Sequence, residues 1–375
     1  MTDADTLRLL QDAATSFASF DAKRVRSWRY NDPGFDRNLW QEMAAQGWFG
    51  ILADEASGGM ELGLDAVAVV ARALGQAAVP EPFVAAGVVA PKLLADCKAG
   101  ATRDAALQDI VAGQSVATLA WQSPSGSFAL DDIAVTAAEK EGAITLSGEA
   151  RFVPIAAADS IIVAAKQAGG IGLWWLSSST EGLTIEPEDQ ADGSRTGWLR
   201  LANVAVGPDS SLAPPNDGRD LIEAALDAGV VANCAELMGM MDRSLELTLD
   251  YLKVRKQFGQ AIGSFQVLQH RAVDLWMQKE VAGHATEAAI KALDSESVTP
   301  TARAISASSA KARVGEVALK MANETVQLHG AIGFTDEYDL GLYVNRILAA
   351  APYLGNAADH RKRYGELKQD LGAAA

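Results

Sequence analysis

The sequence is poor in cysteine, histidine and basic residues. Its 375 residues include 2 cysteines and 4 histidines, and 32 lysines and arginines stand against 48 aspartates and glutamates, for a net charge of −16. The two cysteines, Cys97 and Cys234, build no disulfide framework, which favours a cytoplasmic protein. The acidic balance argues against nucleic acid or an anionic membrane surface as a partner, because both would repel the chain.

Long apolar runs and targeting signals are also missing. No uninterrupted stretch of about 18 apolar residues occurs, so the sequence predicts no transmembrane span. The first residues, MTDADTLRLL, are acidic and lack the charged and then apolar layout of an export signal. A cytoplasmic location therefore remains the prediction.

The common catalytic and metal-binding motifs are absent as well. The histidines share no ligand spacing with each other or with a cysteine, so no metal site is predicted at His270, His284, His329 or His360. The chain has no nucleophile elbow, no P-loop and no dinucleotide fingerprint that follows a strand. The glycine-rich segment 168–172 precedes a strand rather than a helix, which predicts a hairpin turn instead of a nucleotide loop.

The chain divides into three segments with different residue patterns. Residues 1–112 carry apolar positions at helical spacing, residues 113–213 consist of short Val, Ile, Thr and Trp runs between turn residues, and residues 214–375 return to long helical patterns. These patterns predict an N-terminal helical domain, a central antiparallel β-sandwich or barrel, and a C-terminal four-helix bundle. The predicted fold class is α+β.

Two segments of the C-terminal domain stand out. The first motif, residues 251–266, reads YLKVRKQFGQAIGSFQ: a helix ends in a basic cluster, a Phe-Gly turn follows, and Phe-Gln starts the next helix. The second motif, residues 326–335, reads VQLHGAIGFT, a helix end followed by small residues. Ordinary capping accounts for either motif alone, since cations and glycine both suit a helix C-terminus. Their combination behind a β domain is specific.

With these motifs the chain resembles the acyl-CoA dehydrogenase family, which carries an R-x-x-F-G…F-Q element and a Q-x-x-G-G-x-G-F element. The text GWFGI at 47–51, followed by EASGG at 55–59, is similar to a further family element. The resemblance covers nearly the whole chain and implies the helical, β, helical domain order. It also implies FAD as cofactor, an acyl-CoA thioester as substrate, an electron-transfer flavoprotein as electron acceptor, and a homodimer or tetramer.

The resemblance assigns cofactor contacts to both motifs. Arg255 is expected to reach the FAD diphosphate of a neighbouring subunit, a contact that suits a bidentate guanidinium. Phe258 is expected beside the adenosine end of FAD, and Gln266 adds a polar contact. The second motif is expected to let its backbone approach the FAD diphosphate closely through Gln327, Gly330 and Ala331. Ala331 stands where the family has its second glycine.

The β domain is expected to hold the flavin ring. The resemblance places five residues there: Leu119, Trp121, Gln122, Phe152 and Pro154. Phe152 keeps an aromatic wall where the family usually has W-x-T. Pro154 has neither a hydroxyl nor an N–H to offer flavin N5, so this part of the family pattern is weakened.

The family's catalytic glutamate has no counterpart. Abstraction of an α-proton from a thioester needs a base, which most members carry in a Y-E-G-T text after the second motif. The corresponding residues are Tyr353, Leu354 and Gly355, which are expected at the substrate, with Leu354 in the place of the glutamate. A minority carries the base 26 residues before the family arginine, which falls on Gly229. The catalytic residue of this chain is therefore unknown.

Several explanations stay open. One explanation is a substitute acid. Asp227 is a candidate, although it lies about 200° around its helix from residue 229. The other candidates are the loop residues Asp336, Glu337 and Asp339. A second is a heterotetramer with a glutamate-bearing paralogue, as in a bacterial branch of the family that acts on bulky substrates such as steroid side chains. A flavin-dependent oxygenase or oxidase on the same fold and a non-catalytic flavin-binding or scaffold subunit are the alternatives.

Overall fold

The computed structural model describes residues 2–140 and 142–373 and confirms the α+β class. The first third is helical, with aspartates at helix starts whose carboxylates accept backbone N–H groups, as N-caps do. A π-helical segment, Phe83–Val89, leads into α5. The helices are α1 (Ala4–Phe17), α2 (Ala22–Trp28), α3 (Arg37–Ala45), α4 (Leu64–Gln76), α5 (Ala90–Asp96) and α6 (Ala101–Val111).

An eight-stranded sheet follows, with its core built from alternating apolar side chains such as Leu146, Val163, Trp174 and Leu199. The strands are β1 (Ala117–Ala120), β2 (Thr136–Lys140), β3 (Ala143–Val153), β4 (Ser160–Gln167), β5 (Gly170–Ser177), β6 (Leu183–Asp189), β7 (Arg195–Val206) and β8 (Ser211–Ala213). The order is β6-β7-β3-β2-β4-β5-β8, and β1 pairs with β4.

The predicted hairpin turn at 168–172 is confirmed, because β4 and β5 pair antiparallel with Gln167 opposite Gly170. The sheet is mostly antiparallel, as predicted, but two pairings depart from the prediction. Strand β1 pairs with β4 in parallel, and β2 pairs with β4 in parallel at one position. The long connection between β1 and β4, through β2 and β3, provides the crossover that parallel strands need.

The last part of the chain is helical again, and its first glycine-rich turn is a short hairpin. The elements are α7 (Gly218–Val254), β9 (Lys256–Gln257), β10 (Gln260–Ala261), α8 (Gln266–Leu293), α9 (Pro300–His329), α10 (Leu340–Ala350) and α11 (Ala357–Ala373). Thr299 caps α9 and Pro300 opens it, a favourable pair at a helix start.

The described residues form two compact units. One contains residues from 1–29, 64–79 and 230–375, and the other contains residues from 30–63 and 80–229. In the first unit α4 and α7 cross at backbone distance. A Cβ added to Gly75 would lie 2.1 Å from the Glu236 carbonyl oxygen, and one added to Gly239 would lie 2.0 Å from the Arg72 carbonyl oxygen. This crossing therefore requires glycine on both helices. The boundaries 112/113 and 213/214 remain a prediction.

Within residues 2–140 and 142–373, every helix is too short or too polar to serve as a transmembrane span. Cys97 and Cys234 are both buried and form no disulfide.

Candidate functional site

The first motif presents its predicted cofactor residues on the surface. Arg255 follows the last residue of α7, and its N–H donates to the Tyr251 carbonyl oxygen at 2.9 Å. Its guanidinium makes no ion pair with any residue that the structure describes, whereas Lys253 is paired with Asp250 at 3.0 Å. Phe258 is 92% exposed and has a φ of +51°, a left-handed conformation that is rare for an aromatic residue.

The β9–β10 hairpin fixes this exposed turn. Gln257 pairs with Gln260, and the Phe258 ring meets the Phe265 ring edge-on at 6.1 Å. Gly259, with a φ of +84°, has no described atom within 4 Å of where a Cβ would stand. Gln266, the first residue of α8, is also exposed. The turn is therefore an open, preformed surface rather than a packed loop.

The second motif lies at the end of α9 and is also exposed at its predicted contact residues. Gln327, Gly330 and Ala331 are accessible, and Gly330 ends the helix with a φ of +68° and open space over its Cα. The His329 ring stacks on the Tyr251 ring, with centroids 4.5 Å apart. The structure thus brings the two motifs, about 70 residues apart in sequence, side by side.

In the second unit, which contains the eight-stranded sheet and is called the β unit below, the structure brings Gln122 and Phe152 together. The Arg151 N–H donates to the Gln122 carbonyl oxygen at 2.9 Å, and the Gln122 Nε2 donates to the Gly126 carbonyl oxygen at 2.8 Å. A register shift in β3 turns Phe152 outward, with a φ of +59° and the Arg151 guanidinium 5.3 Å from its ring centroid. Strain of this kind often marks a functional position.

The remaining β-unit candidates are less accessible. Leu119 on β1 and Trp121 beyond it are buried, and the Trp121 ring meets the Phe128 ring edge-on at 5.5 Å. Pro154 is half-buried and follows β3 directly. Their roles at the flavin ring remain a prediction.

Leu354 occupies a tightly held turn between α10 and α11. It is buried and has a φ of +57°, and the Gly355 N–H donates to the Pro352 carbonyl oxygen at 3.1 Å. The His360 Nε2 donates to the Leu354 carbonyl oxygen at 2.7 Å. Burial beside Glu236 raises the pKa of Tyr353 above its usual range. The position of the expected base is thus occupied by an apolar side chain in a strained backbone.

A buried polar network behind this turn was missed by the sequence analysis. Lys311 on α9 is fully buried; its ammonium donates to the Asn233 side-chain oxygen and, at 3.3 Å, to the Ala350 carbonyl oxygen. The Asn233 amide donates to Glu236 at 3.4 Å, and Glu236 pairs with Arg346 at 3.1 Å. Burial lowers the pKa of Lys311 to about 8. The available signal was Asn233 and Glu236 inside the apolar stretch of α7.

Two of the four acids proposed as substitute bases are engaged in ion pairs. Asp336 accepts from Arg29 at 2.5 Å and Asp339 accepts from Arg26 at 2.9 Å. Asp227 is buried on α7, and Glu337 is exposed in the loop. The carboxylates of Asp336 and Asp339 are thus committed to ion pairs with arginines rather than open to a substrate.

The residues of both motifs fit a diphosphate ligand. A dianionic group approached by backbone requires an available guanidinium and glycines with open space above them. Arg255 is exposed and has no acidic partner in the described part of the chain, and Gly259 and Gly330 have that open space. The two motifs also carry the exposed aromatic side chains Phe258 and Phe334, which suit the base of a nucleotide cofactor.

Comparison with known proteins gives the family. The model "Acyl-CoA dehydrogenase, N-terminal domain" matches residues 4–114, and "Acyl-CoA dehydrogenase, C-terminal domain" matches residues 216–366. Together they cover more than two thirds of the chain.

Individual relatives agree over the whole length. Acyl-CoA dehydrogenase IpdE2 of Mycobacterium tuberculosis is 28% identical over 97% of this chain and 97% of its own. A solved steroid ACAD, Tcur3481-Tcur3483, is 27% identical with a TM-score of 0.87 over 99% of both chains. The ChsE4-ChsE5 complex from Mycobacterium tuberculosis has the same fold, with 21% identity and a TM-score of 0.86 over 97% of both chains. The chain belongs to the acyl-CoA dehydrogenase family of FAD-binding oxidoreductases.

Proposed function

We propose that this chain is the base-less subunit of a heteromeric acyl-CoA dehydrogenase that acts on a bulky, steroid-like acyl-CoA. One observation carries the proposal: neither position at which the family holds its glutamate offers a carboxylate, since Leu354 and Gly229 stand there. Leu354 is buried and apolar, so no solvent-borne base has easy access to this position. The glutamate then belongs to a related partner subunit.

The exposure of the two motifs supports an assembly. Phe258 and Phe334 are 92% and 84% exposed, which is unusual for large apolar rings on the surface of a fully assembled protein. Helix α8 adds further exposed apolar side chains on one stretch of the helix: Val267, Val273, Trp276, Met277 and Val281. Such apolar surface is typical of permanent subunit interfaces. A paralogous subunit that covers it would also bring the motifs to its own cofactor.

The named relatives point in the same direction. The steroid ACAD at 27% identity bears two protein names, Tcur3481 and Tcur3483, and covers 99% of this chain. We transfer from it both the steroid-like substrate class and the pairing of two chains. An electron-transfer flavoprotein as electron acceptor and a cytoplasmic location complete the proposal.

The roles of the chain's own residues follow from their chemistry. Arg255 neutralises the FAD diphosphate, and Gln327 and Gly330 offer it polar and backbone contacts. Phe258 and Gln266 flank the adenosine end. FAD, when bound, supplies the acceptor for the hydride that leaves the acyl β-carbon. Leu119, Trp121, Gln122, Phe152 and Pro154 shape the flavin-ring surface of this chain.

The substrate-side turn has a different task. The acyl group is walled on one side by Tyr353, Leu354 and Gly355. These residues exclude water from it, but they accept no proton. The proton on the α-carbon therefore has to leave to the partner's glutamate.

The experiment is co-purification with FAD. We expect Arg255→Ala to accelerate FAD release from the purified flavoprotein by about tenfold or more, because a charge-assisted hydrogen bond is lost. Arg361→Ala is the matched control, since Arg361 is an exposed arginine on α11 paired only with Glu316 among the described residues. Equal FAD release from both variants would contradict the assignment of Arg255.

The assembly is tested separately. We expect the chain to form a stable complex with a glutamate-bearing paralogue on size-exclusion chromatography, with acyl-CoA-dependent dye reduction by the complex. Replacement of that glutamate by glutamine should abolish turnover and leave the complex intact. Unchanged turnover would mean that this chain holds a base of its own, which would contradict the proposal.

A further inference from the structure

Three aromatic rings join the two motifs from behind. Tyr251 lies on α7, His329 is the last residue of α9, and Tyr338 lies in the loop that precedes α10. The Tyr251 and His329 rings stack at 4.5 Å, the His329 and Tyr338 rings lie 5.1 Å apart, and the Tyr251 and Tyr338 rings meet edge-on at 6.3 Å. Each ring thus contacts both others.

The backbone ties these rings to the predicted cofactor contacts. The Tyr251 carbonyl oxygen accepts the N–H of Arg255 at 2.9 Å. The His329 Nδ1 donates to the Thr325 carbonyl oxygen at 2.8 Å, which fixes the ring, and Gly330 follows directly. Burial lowers the pKa of His329, so the ring stays neutral at neutral pH and packs as an aromatic group.

Two arginines hold the same loop: Arg26 on α2, and Arg29, which follows the last residue of that helix. The Arg26 Nε and Nη2 donate to the Asp336 carbonyl oxygen at 3.0 and 2.6 Å, and its Nη1 donates to Asp339 at 2.9 Å. The Arg29 guanidinium is largely buried and donates to the Asp336 carboxylate at 2.5 Å. Backbone and side-chain acceptors are used together, so this contact is more specific than an ordinary surface ion pair.

We infer that Tyr251, His329 and Tyr338, together with Arg26 and Arg29, are positioning residues for FAD. They hold the first and second motifs in one fixed relative geometry and touch no part of the cofactor themselves. Arg255, Gln327 and Gly330 are exposed and have little packing of their own. Without this support they would have to be ordered when the diphosphate binds, which weakens binding. The inference rests on the proposed function of the motifs.

The test measures FAD release from this chain, purified in the assembly that retains FAD. We expect Tyr338→Leu and the double variant Arg26→Ala/Arg29→Ala each to release FAD about tenfold faster than wild type, and Tyr338→Phe, which keeps the ring, to stay within about twofold. Tyr364→Leu is the matched control, because Tyr364 is a half-exposed tyrosine on α11 that stacks with Lys368.

A double-mutant cycle separates positioning from general destabilisation. Since Tyr338 acts through Arg255 and Gln327, Tyr338→Leu should have less than about a twofold effect in an Arg255→Ala/Gln327→Ala background. A full additional tenfold effect there would overturn the inference, and so would wild-type release by Tyr338→Leu in the parent. If Arg255→Ala itself leaves FAD release unchanged, the proposed function of the motif fails instead. The unfolding midpoint of each FAD-free variant reports the fold independently.

Discussion

Lys311 carries a buried positive charge and has no directly bonded carboxylate among the described residues, which has a measurable consequence for stability. Burial lowers its pKa from 10.5 to about 8. Between these pH values the unfolded chain holds more protons than the folded chain, so this lysine makes the free energy of unfolding rise with pH. A pKa difference of this size corresponds to about 3 kcal/mol. Lys311→Met removes the titration but keeps the length of the side chain.

The assay is urea unfolding of wild type and Lys311→Met from about pH 7 to pH 10.5. Buried Cys234 and Tyr353, whose pKa values are raised, act in the opposite sense at high pH. Tyr353 is common to both proteins and cancels in the difference, whereas the Cys234 thiol interacts with Lys311, so the comparison is made in a Cys234→Ala background. We expect wild type to gain up to about 3 kcal/mol over the variant across this range. Lys320→Met is the control, because Lys320 is an exposed lysine on the same helix, and this variant should show no such trend. A difference independent of pH would refute the account of Lys311.

Two further predictions concern the same unit. Burial lowers the pKa of His360 to about 4, so as pH falls from 6.5 towards 4 wild type should lose up to about 3 kcal/mol relative to His360→Gln, measured by urea unfolding; parallel curves would contradict this. Gly239→Ala places a methyl group 2.0 Å from the Arg72 carbonyl oxygen and should lower the free energy of unfolding by about 3 kcal/mol or more. Gly315→Ala on α9, whose nearest described atom is 3.7 Å away, should be neutral or stabilise by about 0.5–1 kcal/mol. Similar losses in both would contradict the proposed α4–α7 crossing.

The helices and most strands follow directly from local pattern. Thr299 and Pro300 mark the start of α9, and Gly330 marks its end, so sequence periodicity and capping fix a 30-residue helix. The turn at 168–172 is equally local. The parallel pairing of β1 with β4 is not, because it joins residues more than 40 positions apart and depends on the route of β2 and β3.

The candidate site likewise combines residues that local sequence indicates with residues that only the tertiary structure brings together. Arg255, Gln327 and Gly330 are predicted as cofactor contacts from the two motifs, and that assignment stays a prediction. Nothing local indicates that Tyr251, His329 and Tyr338 meet, since their contact depends on how α7 and α9 pack. Lys311 is similar: a lysine on α9 resembles a surface residue until the packing of α7, α9 and α10 surrounds it. The left-handed backbone at Phe152, Phe258 and Leu354 is likewise imposed by tertiary structure, because none of these residues favours it.

The proposed dependence of this chain on the proton acceptor of a partner can be measured directly. The direct measurement is acyl-CoA-dependent dye reduction, with a steroidal acyl-CoA ester, by the FAD-loaded chain alone, by a glutamate-bearing paralogue alone, and by the two combined. We expect background turnover by this chain alone and turnover by the combination. Substantial turnover by the chain alone would contradict it.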